Sequence, residues 1–192
     1  MSSFLGELLN TVELVATGGI LDRTNQDIRT QQANALAHRA QQVLEAGSPI
    51  IETQKQDNCI LLQAGAFGGF KAALQGTLIV GAPGSTITGS VALTGQSCTL
   101  RNLHIVGPIT IGATSVVILE GCVLEALPSQ AGDFITMDAG GKLLATGNRF
   151  IGGQSKAFVV NNAGAATNAQ LVGNANQTGK SHQNVTSLGE LI

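Results

Sequence analysis

The chain has 192 residues, only 11% of them charged, and a formal net charge of −2. That length suits one domain, or one domain with an appendage, and so weak a charge gives no electrostatic footprint for nucleic acid or anionic lipid. With 25 glycines, 4 prolines, six phenylalanines and neither Trp nor Tyr, the composition favours stacked strands joined by tight turns over a core built on large rings.

Residues 1–57 read as a helical anchor or cap. Ser3 can cap a first helix, in which Leu5, Leu8, Leu9 and Val12 recur at helical spacing until Gly18-Gly19 stops it. A second helix starts near Thr24-Asn-Gln-Asp27 and runs to Glu45, with Gly47 as its left-handed stop. Its stripe of Ile28, Leu36, Ala40, Val43 and Leu44 is narrow, so it needs a partner to pack against. The N-terminus lacks a basic region, its apolar stretch is broken by Glu7 and Glu13, and no run approaches the roughly 18 apolar residues of a membrane span. Neither a secretory leader nor membrane insertion is expected, and assembly in a cytosol is the default.

From residue 58 to 192 the period changes to strand and turn, with apolar runs such as Cys59–Leu62 and Val116–Leu119 bounded by Gly, Asn, Ser and Pro. Five segments fit one template: Leu74–Gly81, Leu100–Gly107, Leu119–Ala126, Ala145–Gly152 and Val172–Gly179. Their starts are 26, 19, 26 and 27 residues apart, which is the signature of stacked units. The third position is always Gly or Asn, the residues that best tolerate a left-handed backbone, so each unit bends there. Positions four and six then share an inward face: Thr77/Ile79, Leu103/Ile105, Cys122/Leu124, Asn148/Phe150 and Ala175/Gln177. Five such rungs, stacked at the strand spacing of roughly 4.8 Å, make a rod about 24 Å tall.

On these repeats the region 58–192 resembles a short right-handed parallel β-helix of the pectate-lyase-like kind. The fold expected is mainly β: about five rungs preceded by the N-terminal α-helical region. The resemblance extends to the β-helices of phage spikes, fibres and decoration proteins, which commonly associate as trimers, and it implies a virion protein assembled in the host cytoplasm.

If positions four and six face inward, five and seven face outward, and there stand Leu78, Val80, Val106, Val123 and Ile151. The position before the template adds Ile118, Leu144 and Leu171. A strand apolar on both sides belongs to a sheet covered on both sides, and a bare patch of this kind marks an association site. Either loops and the N-terminal helices cover this column, or identical rods pack side by side on it around a cyclic axis.

Little else in the chain suggests chemistry. Polysaccharide cleavage needs paired carboxylates or a carboxylate–cation set. The available groups are Glu120, Glu125, Asp133 and Asp138, with Lys142 and Arg149, and no second rung repeats such a cluster. The run Gly173–Ser181 imitates a phosphate loop but has five residues between its glycines where the motif needs four. His38, His104 and His182 lack triad spacing. Cys59, Cys98 and Cys122 have neither disulfide nor metal spacing and read as small buried hydrophobes. No catalytic, cofactor-binding or metal site is expected.

The expected role is therefore a non-enzymatic structural component of a tailed phage particle. It would be a homotrimeric capsid decoration protein or a small spike, held to other virion proteins by its N-terminal helices. The alternatives are a tail protein that binds or depolymerises a host surface glycan, and a polymerising scaffold resembling bactofilins.

Overall fold

The computed structural model describes residues 42–153 and 157–191. These fall in one compact unit, Arg39–Ile192. The first expected helix, and the second up to residue 41, lie outside the described residues. The end of the second is corrected: Gln42–Leu44 is a strand, not helix, and pairs in parallel with Ile60–Leu62. Val43 and Leu44 suit a pleated surface as well as a helical stripe, and pairing with a neighbouring strand decides between them. Gly47 does take the left-handed conformation (φ 82°), but in a turn that follows a strand.

Strand β1 (Gln42–Leu44) opens a coil of turns. The second turn contains β2 (Gln56–Leu62) and β3 (Gly65–Ala72), the third β4 (Gln75–Gly81) and β5 (Ser85–Leu93). The fourth has β6 (Ser97–Arg101), β7 (His104–Val106) and β8 (Ile109–Ile111); the fifth has β9 (Val116–Glu120), β10 (Val123–Ala126) and β11 (Ile135–Met137). The sixth has β12 (Lys142–Thr146), β13 (Arg149–Gly152) and β14 (Val160–Asn162). The seventh has β15 (Ala169–Val172) and β16 (Ala175–Asn176), and β17 (Thr186–Leu188) follows.

Every pairing is parallel and joins one turn to the next. The first sheet runs β1-β2-β4-β6-β9-β12-β15-β17, eight strands in all. The second runs β14-β11-β8-β5-β7-β10-β13-β16, with β3 also on β5. Strand β5 joins two columns: Thr86–Thr88 pair with β7, and Val91–Leu93 pair with β8. Between the halves, backbones approach so closely that a Cβ on Gly107 (φ 130°) would stand 2.7 Å from the Gly89 carbonyl oxygen, so this corner takes only glycine.

The chain is thus mainly β, with parallel sheets compatible with a β-helix-like fold. Inside it, Ile60, Ile79, Leu100, Leu119, Ala145 and Leu171 stack in register along the first sheet. Ile87, Ile105, Leu124 and Phe150 do the same on the second sheet, and all ten are 0% exposed. Eight strands rather than five rungs make the first sheet roughly 34 Å long at about 4.8 Å per step.

The expected bends are left-handed at Gly76, Asn102, Gly121 and Gly147, with φ between 56° and 73°. The fifth belongs to Gly173 (φ 58°) instead of Asn174, because Ala145 pairs with Leu171 and not with Val172. A one-residue slip exchanges faces, so the inward residues of that turn are Asn174 and Asn176, not Ala175 and Gln177. The other four inward pairs are buried as expected.

Candidate functional site

The four candidate carboxylates are placed apart. Glu120 stands on β9 and accepts from Arg101 Nη2 at 2.6 Å and Nε at 3.0 Å. Glu125 lies beyond the Gly121 bend on β10, where its Oε2 is 2.8 Å from His104 Nε2. Asp133 holds two strands of chain together: its Oδ1 accepts from the Phe158 amide at 2.9 Å, and its Oδ2 accepts from Asn161 Nδ2. Asp138 is exposed in the turn before β12, and Arg149 Nε donates to Gln177 Oε1 at 2.7 Å. The bends carry these residues to different faces, so the structure does not assemble the paired groups that glycosidic cleavage requires.

A carboxylate overlooked in the sequence is Glu52. It accepts from the Ala73 amide at 2.7 Å, from the Leu74 amide and from the Thr77 hydroxyl, tying the loop after β1 to the turn below. It lies 21 to 25 residues from those partners, so no local motif announces it.

The run that imitates a phosphate loop is folded on itself. Asn176 Oδ1 accepts from Thr178 N and Oγ1, Asn176 Nδ2 donates to the Lys180 carbonyl, and the Lys180 amide donates to Thr178 Oγ1. The Gly173, Ala175, Asn176 and Gln177 amides donate to the carbonyls of Leu188, Asn148, Leu191 and Phe150, so the donors of the run do not converge on an anion. The His182 side chain is only 7% exposed, with Nε2 2.6 Å from Glu190 Oε1 and its ring edge-on to Phe150 at 5.8 Å. It packs against the core; His38 lies outside the described residues.

None of the three cysteines is in a disulfide. Cys98 and Cys122 are buried, and burial pushes their thiols up to about 12 and about 11; burial also raises Cys59, which is partly exposed. A raised native pKa favours the fold below the unfolded value of 9.0, and that contribution disappears as pH rises through the native value. Stability should therefore fall from pH 9 up to about 11 to 12, by on the order of 1–2 kcal/mol per thiol at pH 10. Urea unfolding of the wild type and of Cys98→Ala/Cys122→Ala at pH 8 and 10 checks this: the double variant should lose about 3 kcal/mol less over that interval. Equal pH slopes would refute it.

The outer surface differs more between faces. Of the eight large apolar side chains that are well exposed among the described residues, five lie on the outer face of the first sheet: Val43, Val116, Leu144, Val172 and Leu188. Leu78 and Ile118 are half-buried beside them, in register with Thr99 and Leu144. The expected column is therefore split and partly corrected. Leu171 is a core residue at 0% exposure, because the one-residue slip turns it inward, and Val80 is buried at 2%. Val106, Val123 and Ile151 are half-buried on the second sheet, where charged neighbours interrupt them. There Val106 pairs with Glu125 and Glu125 with Ile151, while Val123 sits between His104 and Arg149.

Among the described residues no group of three or more His, Cys, Asp or Glu side chains could hold a metal ion, and no helix is long and apolar enough to cross a membrane. No family model, curated protein or solved structure matches the chain.

Proposed function

We propose that this chain is a non-enzymatic structural component of a virus particle, a right-handed pectate-lyase-like β-helix that works by assembling with copies of itself. Attachment to other virion proteins is assigned to the N-terminal region 1–57. The observation that carries the reading is the apolar outer face of the first sheet, since a solitary rod in water gains nothing from leaving Val116, Leu144, Val172 and Leu188 bare. The parallel coil is in keeping with the resemblance, which supplies the step to a phage particle and to three copies. The scattered carboxylates give the depolymerising alternative no cluster of described residues to act through.

Light scattering on the full chain at micromolar concentration tests the assembly. The expected mass is three times the 19.6 kDa of one chain, and a single-chain mass would refute the reading. Released oligosaccharides on incubation with capsule would favour the glycan-directed alternative, and filaments in the electron microscope the scaffold.

A further inference from the structure

We infer that the seventh turn and the segment after it, through Leu191, form a cap that closes this end of the coil to lengthwise addition of another copy. Association of copies through this end is thereby blocked, which separates a side-by-side assembly from a lengthwise polymer. The inference goes beyond the proposed self-assembly and applies equally to a single chain.

The inward columns change chemistry at this end. On the first sheet the aliphatic column from Ile60 to Leu171 ends on Ser187. On the second sheet Phe150 is followed by Asn176. From β8 onward Ile109, Ile135 and Val160 stack in register, and because Gln183 bridges Asn161 the next residue of that column is His182. Ile111 and Met137 lead in the same way to Asn162 and then Asn184. At the corner, Asn174 is followed by Glu190, since Leu191 bridges Ala175. One column stays apolar, Ala169 being succeeded by Val185 just before the Gln170–Thr186 pair.

These polar groups find their partners inside the cap. Asn176 accepts from the Thr178 amide and hydroxyl and donates to the Lys180 carbonyl. Asn162 Nδ2 donates to the Asn184 carbonyl at 3.0 Å, and Asn184 Nδ2 donates to the Asn162 carbonyl at 3.1 Å. His182 Nε2 lies 2.6 Å from Glu190 Oε1, the two side chains being 7% and 21% exposed. An apolar turn stacked on this floor would remove the remaining water from the Glu190 carboxylate. It would also offer nothing to His182 Nδ1, which is buried with no partner among the described residues. Desolvation of that kind opposes the contact.

The backbone edge acts in the same direction. Strands β14, β16 and β17, which end the sheets here, have three, two and three residues, against seven in β4 and nine in β5. So short an edge offers a further strand few groups to pair with, and shortening the edge is one way proteins keep a sheet from templating another chain. The left-handed Gly189 then bends the backbone away directly after β17.

Making the floor apolar tests the cap on the full chain, with mass read by light scattering, maximum dimension by small-angle X-ray scattering and folding by circular dichroism. His182→Leu/Glu190→Leu removes both members of the pair together and so strands neither. It should at least double the mass relative to the wild type at equal concentration. It should also lengthen the particle by about one coil, roughly 34 Å over eight strands. The wild type should keep one length as concentration rises. Where the double variant fails to fold, Ser187→Ile, at an exposed position in register with Leu171, gives the same reading. A folded variant of wild-type mass and length, or a wild type that lengthens with concentration, would overturn the inference. Each variant is read against the wild type, so a wild type of single-chain mass would overturn the proposed self-assembly and leave this test intact.

Discussion

Replacing Asn148 by leucine is expected to destabilise the chain by about 3 kcal/mol, although the side chain touches nothing outside the protein. Asn148 is buried just after the Gly147 bend. Its Oδ1 accepts from the Cys122 amide at 2.9 Å, and its Nδ2 donates to the Leu119 carbonyl at 2.9 Å, both in the turn above. Asn174 repeats the pattern one turn on, accepting from the Asn148 amide at 2.8 Å and donating to the Ala145 carbonyl at 2.9 Å. The two amides are joined as well, Asn148 Nδ2 donating to Asn174 Oδ1 at 3.0 Å. Corners of a coil cannot close a ladder between strands, and these amides supply the missing partners. Leucine fills the volume but strands a buried N–H and a buried carbonyl, at about 1–3 kcal/mol for each such group. Asn148→Asp keeps the acceptor, loses the donor and buries a charge, so at pH 7 it should be at least as harmful. Urea unfolding reads both; a loss for Asn148→Leu below about 1 kcal/mol at unchanged m-value would mean that water satisfies the corner.

The same corner explains what could be read from the sequence. A left-handed bend needs Gly or Asn, so Asn102, Gly121 and Gly147 could be found by residue type alone. The strand alternation after each of these bends then placed Leu103, Ile105, Cys122, Leu124, Asn148 and Phe150 inward correctly. The repeat failed where turn lengths vary. Leu74–Gly81 was aligned on Leu100–Gly107, but Leu100 pairs with Ile79, 21 residues away. Gly76 is left-handed near the start of β4, beside Asp57, and not at the corner that ends the strand. At the other end, Gly189 (φ 65°) makes a further bend after β17, which the five-segment template did not include.

The candidate surface was half legible. Alternation identifies which residues point outward, but only the bends determine which outward residues share a face. Treating the strands on both sides of each bend as one column merged Ile118 and Leu144 on the first sheet with Val106, Val123 and Ile151 on the second. Contacts between successive turns left no local signal at all: Glu52 on Thr77, Asp133 on Asn161 and His182 on Phe150 could be found only from the coil itself.

Phe150→Ala should be the most damaging single truncation, costing about 3–5 kcal/mol. Phe150 is the largest of the fully buried side chains. By register it stacks between Leu124 and Asn176 on the second sheet, and His182 meets its edge at 66°. On the second sheet the turn beyond it presents Asn176 and, at the corner, Asn174 in place of aliphatic groups, so that side offers little apolar material to collapse into the space. The loss should also be local at first. In a coil each turn rests only on its neighbours, so stability is close to a sum of adjacent contacts. Amide exchange in β12, β13 and β15 should accelerate before that in β2 and β4, and the Cys122 thiol should become available to a maleimide earlier than Cys98. Uniform acceleration along the whole coil would show instead that its turns unfold as one unit, with Phe150 contributing to a single global transition.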